Sequence, residues 1–148
     1  MLMGVSEFER LFREAASLDV DKDDLKRLSD FINQKVYDML LIAQANAKAN
    51  GRDIILSHDL PITKGLQESM HTFRKMDITL ELKPILAELA KLPMLDLGYG
   101  ADVEEALPEL VGTLTVCLAK TFKIIDPDVK NPQTTHWNRA EAIFNMLL

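Results

Sequence analysis

The sequence predicts an all-α protein made of two similar halves, each a short helix, a long helix and a second short helix. Two long stretches carry apolar residues at helical spacing: Leu25, Leu28, Ile32, Val36, Met39 and Leu40 in one, and Leu107, Leu110, Val111, Leu114, Leu118 and Phe122 in the other. Leu18-Asp-Val20 is echoed 77 residues later by Leu95-Asp-Leu97, each standing between a short and a long helical pattern. Self-similarity at half the chain length argues for duplication.

The elements follow in order. Ser6-Glu-Phe-Glu9 reads as a capping box opening a short helix on Phe8, Leu11, Phe12 and Ala15 that ends near Ser17. An aspartate-rich loop, Leu18 to Asp24, leads into a long helix from about Asp23 to Ala49, which Asn50-Gly51 stops through a left-handed residue. Ile54-Ile55-Leu56 is a short apolar run. Ser57 then reads as the N-cap of a third helix, with Pro61 in its first turn, running to Lys75. In the second half, a short helix covers Pro84 to Leu92 and a loop covers Met94 to Gly100. A long helix from Asp102 to Ile125 carries Pro108 early, and a last helix opens at Thr135-His136.

Neither half can bury the apolar flank of its long helix alone. The two long helices are therefore expected to cross and share one core, making residues 1–148 a single domain. Ile54–Leu56 then gains a partner near Leu95–Leu97 in a short parallel bridge, and Val129 lies beside Leu18–Val20.

Composition bounds the function. The 148 residues are 47% hydrophobic and 27% charged, with net charge −6. That balance argues against general attraction to nucleic acid or anionic membranes. Cys117 is the single cysteine, which excludes an internal disulfide and a multi-cysteine metal site. The N-terminal residues carry charge early and do not read as a secretory signal. No uncharged run approaches the roughly twenty residues of a spanning helix, so the expectation is no membrane and a cytoplasmic location.

Arg10 to Asp24 resembles the first helix and first loop of archaeal histones, and Gly51-Arg-Asp-Ile-Ile-Leu-Ser-His-Asp-Leu60 resembles their second loop and third-helix start. The whole chain resembles bacterial histone-fold proteins that carry two such motifs in one polypeptide. The resemblance implies a duplicated histone fold, with motifs at 5–75 and 76–148 forming an intramolecular pseudodimer. It also implies a structural clamp, because an arginine of the second loop pairs in that family with an aspartate early in the third helix. Arg52 and Asp59 match those positions. Lys130 and Trp137 fall near the equivalent positions of the second half, where no clamp is expected.

Histones hold phosphates through paired loops and first-helix termini. Arg10 matches the family's minor-groove arginine, and Arg13 sits where a basic residue is common; Lys22 and Lys26 extend the candidate DNA-binding set. Other positions oppose the reading. Asp19 stands where the archaeal first loop carries an arginine, and Asp53-Ile54 replace a phosphate-touching Lys-Thr. Carboxylates repel phosphates, whose contacts supply most non-specific affinity. Residues 1–74 hold 10 basic and 12 acidic groups, and residues 75–148 hold 7 and 11. Neither half therefore offers an obvious basic face.

Chemical sites fare no better. Asp19-Val-Asp-Lys-Asp23 mimics the start of a calcium loop, but Asp24 replaces the required glycine and Asp30 stands where a bidentate glutamate belongs. Aspartates favouring a helix N-terminus explain the run without a metal. His58 and His71 on one helix are about 20 Å apart and cannot share an ion. No nucleophile, phosphate loop or carboxylate dyad accompanies them, and His136-Trp137 reads as an interface or core pair. Phe73, Met76, Met94 and Met146 read as core. The expectation is a non-catalytic histone-like scaffold or interaction protein with no cofactor and no metal, whose partner is a protein or duplex DNA. One alternative is a nucleoid-type DNA-binding protein using Arg10, Arg13 and loop amides. Another is a metal-binding protein or enzyme acting through His58 or His136.

Overall fold

A computed structural model describes all 148 residues. Six helices and two very short strands run in the order α1 (Val5–Ala16), α2 (Lys22–Ala49), β1 (Ile54–Ile55), α3 (Lys64–Lys75), α4 (Leu82–Leu89), β2 (Gly98–Tyr99), α5 (Ala101–Ile125) and α6 (Thr134–Leu147). No helix is long and apolar enough to cross a membrane.

The helix ends show which local signals act. Gly4 precedes α1 without a side-chain cap, so Ser6 lies inside the helix and the expected capping box does not form. Ser17 ends α1 in the left-handed conformation, φ 53°. Asp21 caps α2 in a reciprocal box with Asp24: each carboxylate accepts the other's backbone N–H, at 3.0 and 3.1 Å. Asn50 and left-handed Gly51 (φ 71°) close α2.

The third helix starts later than the sequence suggests. Ser57–Asp59 form a single 3-10 turn, and Leu60 is extended (ψ 135°) before Pro61. A residue preceding proline is pushed away from the helical region by the pyrrolidine ring, so the helix cannot run from Ser57 through Leu60. It restarts at Lys64, with Thr63 accepting from the Leu66 N–H at 3.2 Å. Pro108, by contrast, is absorbed within an unbroken α5.

Packing is organised around α5, which touches α1, α2, α3, α4 and α6. One continuous cluster of 35 buried apolar residues draws on every helix, so neither half has a separate core. An aromatic chain joins the halves. Phe8 meets Phe12 at 4.7 Å, Phe12 meets Phe122 at 6.1 Å, and Phe122 meets Trp137 edge-on at 4.9 Å. Burying each such side chain contributes about 1.5–3 kcal/mol. At the crossing of α3 and α5, Gly112 lets the Phe73 ring lie against the α5 backbone; a Cβ there would stand 2.3 Å from the ring. Met94 and Met146 depart from the core expectation: they are 95% and 75% exposed, the first on a loop and the second on the outer side of α6.

The loops pair at both ends of the molecule. β1 and β2 are parallel, with Ile54 opposite Gly98 and Ile55 opposite Tyr99. The short parallel bridge expected near Leu95–Leu97 thus forms, beginning at the residue that follows Leu97. Leu97 itself turns its N–H to Gln44 Oε1 at 3.0 Å. At the other end, the Asp19 N–H donates to the Lys130 carbonyl at 2.8 Å, beside Val129.

Candidate functional site

The loop following α2 is fixed by Arg52 and Asp59. The guanidinium donates through both terminal nitrogens to both carboxylate oxygens, with Nη2 to Oδ1 at 2.6 Å. Asp59 Oδ2 also accepts the Leu56 N–H at 2.8 Å, and its carbonyl accepts from Asn46 Nδ2 at 2.8 Å. Asp59 is 3% exposed. The Arg52 fork holds its carboxyl far below the usual carboxylate range. An acid so bound is no general base. His58, largely exposed beside it, reaches no closer than 4.0 Å.

The second half fastens its loop differently. His136 Nδ1 accepts the Gln133 N–H at 2.9 Å, which leaves Nε2–H to donate to Asp126 Oδ2 at 3.0 Å. His136 is thereby a loop fastener, and it lowers the Asp126 carboxyl below its ordinary value. Lys123 adds a bond to the Val129 carbonyl at 2.5 Å. Trp137 is buried and donates to Asp24 Oδ1 at 2.9 Å. Burial pushes the Asp24 carboxyl up, against the pull of these bonds. Neither Lys130 nor Trp137 makes the pair that Arg52 makes with Asp59. No signal in the sequence exposed the Asp126–His136 link, because ten residues separate the partners across an irregular loop.

The four candidate DNA-binding residues differ in what they hold. Arg10 is turned onto its own chain, with Nε to Glu14 Oε1 and Nη2 to the Met76 carbonyl, both at 3.0 Å. Lys26 pairs with Asp30 at 3.1 Å. Arg13 and Lys22 are exposed and enter no ion pair. Around them the loop ends are acidic. Asp19, Asp21, Asp23 and Asp128 are exposed at one end, against Lys22 and Lys130. At the other, Asp53, Asp96 and Asp102 are exposed. There Lys48 is occupied by Asp96 at 2.7 Å, and Asp102 Oδ2 accepts the Ser57 N–H at 2.8 Å.

Relatives share this architecture. A Thermus thermophilus protein of known crystal structure superposes with a TM-score of 0.97, at 61% identity over the full length of both chains. An Aquifex aeolicus crystal structure superposes with a TM-score of 0.81 over 99% of this chain and 97% of that one; at 21% identity the likeness is one of fold. An uncharacterised protein of Aquifex aeolicus (strain VF5) is 36% identical over 143 residues, covering 88% of this chain and 83% of its own. A second from the same organism is 25% identical over 120 residues, covering 81% and 70%. The model of one family matches residues 8–145, and the chain belongs to that family, described as a domain of unknown function (DUF1931).

Proposed function

We propose that the chain is a histone-like pseudodimer in one polypeptide, with motifs at 5–75 and 76–148, that works as a non-catalytic scaffold for a protein partner and does not wrap duplex DNA. The observation that carries this reading is the charge of the paired loops. In a histone-like pair these loops face phosphates, yet here each pair presents aspartates, and the cations nearby are few or already held by carboxylates. Repulsion at those positions removes the electrostatic term on which duplex binding depends. The same charge suits a partner with a basic face.

Titration with a fluorescent duplex at about 20 mM and about 150 mM salt tests the reading, since any phosphate-driven affinity is largest at low salt. The expected result is no binding at either concentration. Binding that is lost at the higher salt, and weakened by Arg10→Ala or Arg13→Ala, would contradict it and favour the nucleoid alternative.

A further inference from the structure

One hollow of the surface combines apolar walls with a carboxylate that nothing neutralises. It lies between α2, the end of α4, the segment leading to β2 and the first turns of α5, with a volume of about 640 Å³. Ten of its fourteen lining residues are hydrophobic, among them Leu40, Leu86 and Leu89. A concave, mainly apolar space of this size with a few polar groups matches the dimensions and chemistry of small-molecule sites.

Most of its polar groups are already engaged. The Tyr37 hydroxyl donates to the Pro93 carbonyl at 2.8 Å, and Asp96 is neutralised by Lys48 at 2.7 Å. Glu104 differs: it is half-buried on α5, lines the hollow, and its carboxylate enters neither a hydrogen bond nor an ion pair. Tyr99 is its neighbour. Both line the hollow, and burial, and then the Glu104 charge, push the Tyr99 phenol above its ordinary value. The hollow thus offers hydrophobic contact, two aromatic rings and one uncompensated negative charge.

We propose that this cleft binds a small amphipathic cation, an apolar body bearing one ammonium or amidinium group, with Glu104 as its counter-ion. Leu40, Leu86 and Leu89 take the apolar body, and Tyr99, on the same lining, supplies an aromatic ring of the kind that attracts bound cations. An anion of the same shape meets Glu104 with like charge, and a neutral analogue leaves the carboxylate half-buried and unpaired. The site is independent of the scaffold reading, because its counter-ion is none of the loop aspartates on which that reading rests.

Three probes sharing one ring system test it: 1-naphthylmethylamine, 1-naphthylmethanol and 1-naphthoate, titrated into the full-length protein and followed by NMR shifts. The amine is expected to bind about tenfold or more tighter than the carboxylate, with shifts centred on Leu86, Leu89, Tyr99 and Glu104. Glu104→Gln is expected to abolish that preference without lowering the melting temperature. Glu105→Gln, which removes an equal charge from an exposed neighbour outside the cleft, is expected to preserve it. Equal binding of all three probes, no binding up to millimolar concentration, shifts centred elsewhere, or loss of the preference in both variants would overturn the proposal.

Discussion

At the residue scale, Arg52 and Asp59 govern the loop after α2 because each satisfies the other. Asp59 is buried and bonded also to the Leu56 N–H, so removing Arg52 leaves a carboxylate that the fold cannot solvate. Arg52→Ala is expected to destabilise more than the double variant with Asp59→Asn does relative to Asp59→Asn alone. A double-mutant cycle by urea unfolding measures that coupling. The pH dependence has a definite sign. Asp59, Asp96, Asp102 and Asp126 are held below their ordinary values by Arg52, Lys48, the Ser57 N–H and His136 respectively. Their contribution is full above the unfolded carboxylate range near pH 4 and is lost as pH falls through the lowered native values. Asp24, shifted upward, opposes them. Melting temperature is therefore expected to fall on acidification below about pH 4, and the deficit of Arg52→Ala relative to the parent should shrink there. A deficit that stays constant would show that Arg52 acts through packing and not through its charge.

At the scale of elements, legibility followed the range of the signal. The stop at Asn50-Gly51 and the stripe of α2 rest on neighbours three or four residues apart, and both stand in the structure. The Arg52–Asp59 pairing was visible because the resemblance supplied its spacing. The start of α3 was misplaced because Ser57 is a good cap in isolation, while the proline effect on Leu60 overrides it. Thr63→Ala should accordingly cost about 0.5–2 kcal/mol, whereas Ser57→Ala should cost little, since Thr63 supplies the cap bond. Gly112 is a second case. Glycine inside a helix normally loses about 0.5–1 kcal/mol to alanine, but the Phe73 ring occupies the space a methyl would need. Gly112→Ala should destabilise by about 1–3 kcal/mol through overpacking. In a Phe73→Ala background the same change should become neutral or favourable; denaturant midpoints distinguish the two outcomes. The sequence located the parallel bridge of Ile54-Ile55 near Leu95–Leu97 but not its register on Gly98-Tyr99, because two-residue ladders carry no register signal of their own.

At the scale of the whole molecule, the two halves complete one another. Every helix contributes to one apolar cluster, α5 packs on elements of both halves, and the aromatic chain from Phe8 to Trp137 crosses between them. Both loop pairs are joined by backbone bonds between halves. The charge was legible as a total of −6, but its placement at the loop ends required the pairing to be seen. The Glu104 cleft could not be found from sequence, since its walls come from α2, α4, the segment leading to β2 and the start of α5. The most direct test of mutual completion is circular dichroism of residues 1–75 and 76–148 made separately and then mixed. Each piece alone is expected to lack cooperative thermal unfolding, and an equimolar mixture is expected to recover helix content and one transition. A cooperative transition in either piece as an isolated monomer would contradict the account.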